Sequence, residues 1–150
     1  MKTIKKIISA FDMSDYSENA LRYACKLIED LKAEFVIVNV LNQRDVDIVD
    51  RLAKQYMQDT TVEDYIENQK RERMDIIDNL LANENIKYRK IIKVGIPFVE
   101  LVNTIKEEKA DLVVMGTKGR SNIVGAILGT TAEKMFRKCP VPLLSVRRED

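Results

Sequence analysis

Short, nearly continuous apolar runs alternate along this chain with longer stretches in which apolar residues return every three or four positions. The first run, Ile4 to Phe11, ends at Asp12 and predicts a strand. From Ser14 to Leu31, the residues Ala20, Leu21, Ala24, Leu27, Ile28 and Leu31 fall on one helical face, with Ser14 or Ser17 as the cap. Glu34 to Leu41 reads as a second strand. Its core, Phe35-Val36-Ile37-Val38, has the unbroken apolar character of a strand covered on both faces. Residues 42–59 are polar, with at most partial helical character. Thr60-Thr61-Val62-Glu63 has a capping-box pattern and opens a long helix carrying Tyr65, Ile66, Ile76, Ile77, Leu80 and Leu81. The run Lys70-Arg71-Glu72-Arg73 within it mixes signs and reads as a solvated face. Lys87 to Val94 is a third strand. Gly95-Ile96-Pro97 is a turn that sets proline near the first helical position, and Phe98, Leu101, Val102 and Ile105 give a short amphipathic helix. Asp111 to Met115 is a fourth strand. Thr131 to Lys138 is a fourth helix, stopped by Cys139-Pro140 because the residue before proline avoids the helical region. Val141 to Val146 is a fifth strand.

Five strands alternating with four helices predict one α/β domain over residues 1–150, built on a doubly wound parallel sheet. Ligands of such sheets bind beyond the carboxyl ends of the strands, where strand order reverses. If the first and fourth strands are neighbours there, Asp12 and Gly116 face one crevice; the pattern alone does not give that order.

Composition narrows the function classes. A chain of 150 residues, 45% apolar and 33% charged, can bury a substantial core. A formal net charge of +1 supplies no field for nucleic acid or an anionic membrane surface. No apolar run approaches the ~20 residues that span a bilayer. The basic start, Met1 to Lys6, is followed by an apolar stretch that stops at Asp12, too soon for a signal peptide, so a cytoplasmic location is expected. Cys25 and Cys139 read as small buried hydrophobes rather than a redox pair. The absence of histidine removes Ser-His-Asp and Cys-His catalysis and weighs against a zinc site. No catalytic residue and no metal ligand stands out.

Glycine changes the picture. All five glycines lie between residues 95 and 129, and Gly116, Gly119, Gly125 and Gly129 cluster after the fourth strand. Glycine allows close backbone approach. A strand, a glycine-rich loop and a helix N-terminus together bind phosphate through backbone N–H groups and the helix dipole. The loop is neither a P-loop nor G-x-G-x-x-G, and the G-x-x-x-G of Gly125 and Gly129 lies outside any apolar 20-mer, where it carries no membrane meaning.

The spacing Gly116-x2-Gly119-x9-Gly129-Thr130 is similar to G-x2-G-x9-G-[ST], the signature of the ATP-binding branch of the universal stress protein family. The flanks match in order: Ile7-Ile8-Ser9-Ala10-Phe11-Asp12-x-Ser14-x-x-Ser17-x-x-Ala20-Leu21, then Val94-Gly95-Ile96-Pro97, then Asp111-Leu112-Val113-Val114-Met115-Gly116-Thr117, then Pro140-Val141-Pro142-Leu143-Leu144-Ser145-Val146. The resemblance covers essentially the whole chain. It implies an adenine nucleotide alpha hydrolase-like, Rossmann-like sheet with its first and fourth strands at the switch point.

It also implies an ATP site. Asp12 would contact the adenosine part and Val40 would line the adenine pocket. Gly116 and Gly119 would let backbone approach the ribose and phosphates, and Gly129 with Thr130 would hold phosphate at the start of the fourth helix. Met115, Thr117 and Thr131 complete the implied set. Lys118, where many family members carry histidine, is either a phosphate contact or a solvated side chain, and so is Arg120. Asp12 also suits a plain turn before a helix, and that alternative stays open. A phospho-acceptor reading of Asp12 with Asp15 would need an aspartate ending the third strand and a lysine ending the fifth; Val94-Gly95 and Arg147 stand there instead. The implied cofactor is ATP, with or without magnesium or manganese, Thr130 being the nearest hydroxyl. The implied assembly is a homodimer through the C-terminal edge strand, a pairing that Pro142 limits without excluding. The expected function is that of a regulatory nucleotide-binding module in stress response. The alternatives are a slow ATPase or phosphoryl-transfer enzyme relying on carboxylates or a positioned water, and a nucleotide-free dimeric interaction module, against which the intact motif weighs.

Overall fold

A computed structural model of the chain describes residues 2–56, 59, 61–119 and 128–148. Its strands are β1 (Lys6–Ala10), β2 (Glu34–Asn42), β3 (Arg89–Gly95), β4 (Leu112–Gly116) and β5 (Leu143–Val146). They form one parallel sheet in the order β3-β2-β1-β4-β5. The order reverses between β1 and β4, and Ser9 of β1 lies between Ile37 and Val114 in register. The helices are α1 (Asp15–Leu31), α2 (Gln43–Tyr56), α3 (Val62–Leu80), α4 (Pro97–Glu108) and α5 (Thr130–Lys138).

Alternation of side chains across the pleat splits the core in two. Ile7, Phe35, Ile37 and Val114 point to one face, where Leu21, Ala24 and Ile28 of α1 and Ile77 of α3 cover them. Ile8, Val36, Val38 and Val113 point to the other, against Leu101 and Ile105 of α4 and Ala132 and Met135 of α5. Both faces of β2 are therefore sealed, as its unbroken apolar run predicts. Cys25 belongs to the first layer, and burial pushes its thiol up to about 11, which suits a structural residue.

The sheet is the expected one, with four departures of detail. The polar segment after β2 is a full helix, α2, so the described residues hold five helices rather than four; Val46 and Ala53 are its buried anchors. The cap of α3 sits one residue later than the capping-box pattern places it: Thr61 accepts from the Asp64 N–H at 3.2 Å. Thr60 lies outside the described residues. Arg73, read as part of a solvated run, is buried. Leu31, read as part of the apolar stripe of α1, is exposed. Ser14 is the cap of α1, accepting from the Ser17 N–H.

Candidate functional site

Reversal of strand order leaves a cleft of about 720 Å³ above the carboxyl ends of β1 and β4, within the ~300–1,000 Å³ typical of small-molecule sites. Its chemistry changes from end to end. Val38, Val40, Ile96, Pro97, Phe98 and Leu101, from β2 and the start of α4, make an apolar part. Gly116, Gly119, Gly129, Thr130 and Thr131, from the exit of β4 and the start of α5, make a polar part, with Lys118 and Lys134 beside it. Asp12 lines the same cleft at the exit of β1.

Helix ends converge here, and two of them, those of α4 and α5, have no side-chain cap. The start of α1 is capped by Ser14. At the start of α2 the Arg44 N–H donates to Asn42 Oδ1 at 3.0 Å. α4 opens with Pro97, which has no N–H to satisfy. α5 opens at Gly129 with no side-chain cap. Its first-turn N–H groups carry the partial positive charge of the helix dipole toward the glycine floor, the arrangement that receives an anion.

The glycines also have reasons internal to the chain. A Cβ on Gly116 would come within 2.8 Å of the Tyr16 carbonyl carbon and oxygen, so bare backbone at the end of β4 lets the first turn of α1 pack against it. A Cβ on Gly119 would collide with Oδ2 of Asp12. One on Gly129 would sit 3.3 Å from Gly119 N and Lys118 Cα. Two loop segments therefore lie directly on each other, joined by the Gly129 N–H donating to the Thr117 carbonyl at 2.9 Å.

Asp12 is held by its own turn. Its Oδ1 accepts from Ser14 N at 3.0 Å and from Ser14 Oγ, while its N–H donates to Ser17 Oγ at 3.2 Å. Met13 beside it takes a left-handed backbone, φ 69°, an unusual state for a non-glycine residue. Asp12 is thus a turn residue before a helix that also forms a wall of the cleft. The ammonium of Lys118 stands 5.9 Å from the centroid of the Tyr16 ring, with the Arg148 guanidinium 5.7 Å from the same ring. A partly exposed cation–π contact of this kind is worth about 0.5–1 kcal/mol, little enough for a phosphate to redirect the lysine.

Asp12, Val40, Met115, Gly116, Gly119, Gly129, Thr130 and Thr131 all line the cleft, and Thr117 does not; what Thr117 contributes is the carbonyl that ties down Gly129. Arg120 and Gly125 lie outside the described residues. Sequence reasoning missed the wall made by Asn42, Arg44 and Asp45, because residues 42–59 carried no assigned helix, and it missed Phe98 and Lys134. The signal for Lys134 was present: it stands one helical turn after Thr130. Among the described residues no group of three or more His, Cys, Asp or Glu is placed to hold a metal ion, and no helix is long and apolar enough to cross a membrane.

A parallel sheet with its switch point between β1 and β4, its cleft bordered by a glycine-lined loop and an uncapped helix start, defines a Rossmann-like α/β protein. The chain belongs to the universal stress protein family, whose family model matches residues 3–147. It is 31% identical to universal stress protein MJ0577 of Methanocaldococcus jannaschii, with 97% of this chain and 96% of that protein covered. The solved structure of MJ0577 aligns with a TM-score of 0.80 at 26% identity over 99% of each chain. A universal stress protein solved in complex with cAMP aligns with a TM-score of 0.65 at 23% identity, covering 97% of this chain and 98% of that one. Another, from Archaeoglobus fulgidus and in complex with dAMP, gives 0.63 at 18% identity, with the same coverage. These last two share the fold with this chain.

Proposed function

We propose that this chain is a regulatory nucleotide-binding module that takes ATP in the cleft between β1 and β4. The observation that carries the reading is the start of α5, without a side-chain cap and facing a glycine floor, at one end of a cleft whose other end is apolar. An adenine ring suits Val38, Val40 and Phe98; a phosphate chain suits the N–H groups of α5 and the hydroxyls of Thr130 and Thr131. The carboxylate of Asp12 suits a ribose hydroxyl, which donates a hydrogen bond. A divalent ion carried by the phosphates would find Thr130 as the nearest hydroxyl. The cAMP and dAMP complexes of two fold neighbours favour an adenine nucleotide over other phosphate ligands.

Mass spectrometry of small molecules released from denatured protein, followed by calorimetric titration of the emptied protein, tests this. The expected result is released adenine nucleotide and a saturable ATP isotherm that weakens at least tenfold in Asp12→Ala protein. Purified protein that releases no nucleotide and gives no heat with ATP overturns the reading. The assembly that goes with it is a cytoplasmic homodimer paired through β5, which stands at one end of the strand order.

A further inference from the structure

Arg73 is only 4% exposed, although Arg71 and Glu72 beside it in the charge run face solvent. From α3, its Nη1 donates to Oδ1 of Asn39 on β2 at 2.8 Å. Asn39 is 1% exposed, and its Nδ2 donates to the carbonyl of Phe11 at 2.8 Å. Chemistry dictates this amide orientation: a guanidinium only donates and a carbonyl only accepts, so Oδ1 must face Arg73 and Nδ2 must face Phe11. The Phe11 N–H donates to the Val38 carbonyl at 2.9 Å. Both polar groups of Phe11 are thus held by β2, and the next N–H along, that of Asp12, turns to Ser17 Oγ.

Neither Asn39 nor Arg73 lines the cleft. Ile37 and Phe35, two and four residues before Asn39 and so on the same face of β2, pack against α1 and α3; Val38 and Val40 face the other way, into the cleft. The network therefore reaches the exit of β1 from behind the sheet. There β1 has ended at Ala10, and a side-chain amide from β2 meets the carbonyl that precedes Asp12. Burying a guanidinium and an amide is unfavourable unless their hydrogen bonds are made, and apolar groups of the same volume often replace buried charges without loss of stability. Polar side chains at this place orient a peptide that apolar ones could not.

We propose that Asn39 and Arg73 are positioning residues for the binding cleft, fixing the Phe11–Asp12 peptide, and through it the Asp12 carboxylate, from the opposite face of the sheet. The proposal rests on the nucleotide reading for its effect on affinity, but not for its effect on the loop itself.

Two readouts separate these. In ligand-free protein, amide hydrogen exchange at Asp12 and Ser14 is compared between wild type and Asn39→Asp, which keeps the acceptor for Arg73 and deletes the donor to Phe11; Asn39→Leu serves as a second variant. Exchange at both amides is expected to quicken about tenfold or more, the scale of one buried hydrogen bond, while Ser9 within β1 keeps its protection. Unchanged exchange at Asp12 and Ser14 in a folded variant overturns the proposal, and so does loss of protection spread evenly over β1. In titrations, ATP affinity is expected to fall about tenfold in the Asn39 variant and in Arg73→Met, less in Arg73→Lys, which keeps a donor. The Asn39 effect should vanish on an Asp12→Ala background; additive losses overturn the route through Asp12. Quickened exchange in a protein whose wild type binds no ATP supports the positioning role and overturns the nucleotide reading alone.

Discussion

A missing Cβ does different work at Gly116 and at Gly119. The first makes room for backbone of α1, the second for the carboxylate of Asp12. Backbone in a packed turn yields poorly, so Gly116→Ala is expected to lower stability by about 1–3 kcal/mol, the usual range for overpacking. In Gly119→Ala the methyl meets the end of a side chain that can rotate away. Its stability is expected to change by less than about 1 kcal/mol while ATP affinity drops tenfold or more, because Asp12 is displaced. Urea melts and calorimetry on the two variants check this; the reverse ranking would refute the division of labour. The spacing of these glycines was readable in the sequence, but the reason for Gly116 was not, because Tyr16 is brought to it only by the crossover of α1. Arg73 was misread as part of a mixed-charge run whose members Arg71 and Glu72 are exposed, although it falls on the apolar stripe of its helix, seven residues after Ile66 and four before Ile77.

At the scale of elements, strands and the α1 and α4 helices were legible because apolar period and burial agree in them. α2 was not, although Val46, Val49 and Ala53 recur at helical spacing and no glycine or proline interrupts them. β2 runs into α2 with no intervening turn, so the usual punctuation between elements is missing. The ends of α1 and α4 hide similarly: Lys32 and Lys109 adopt left-handed caps, both at φ 54°, where glycine is the commoner choice. The cap of α3 supplies a check. Thr61→Ala removes the acceptor for the Asp64 N–H and is expected to lower stability by about 1 kcal/mol without altering ATP affinity, measured by urea denaturation and titration. No change in stability would mean that the first turn of α3 draws no support from Thr61.

Across the whole molecule, the switch point that opens the cleft at one end of β1 and β4 is clamped at the other. Strand alternation predicted a doubly wound sheet, yet the adjacency of β1 and β4 needed either the family likeness or the structure, since the two are joined by no local connection. Asp111, at the foot of β4, accepts from the Lys5 and Lys6 N–H groups at 2.9 and 3.0 Å and pairs with the Lys2 ammonium at 2.7 Å. Its own N–H donates to the Lys6 carbonyl at 2.9 Å. The Lys2 ammonium and these backbone donors hold the Asp111 carboxyl down at about 2, against an ordinary 3.8. A depressed carboxyl stabilises the fold above its unfolded value, and that contribution disappears as pH falls through the folded value. Stability supplied by Asp111 should therefore be whole above about pH 4 and lost between there and about pH 2. Glu34 and Glu108, held down by Arg89 and Lys6, add acid dependence of their own at the same end of the sheet. The contribution of Asp111 is the difference between wild type and Asp111→Asn. Urea midpoints should separate the two proteins at pH 7, wild type being the more stable, and converge as pH approaches 2. A gap that stays constant from pH 7 to pH 2 would show that the charge on Asp111 does not fasten β1 to β4.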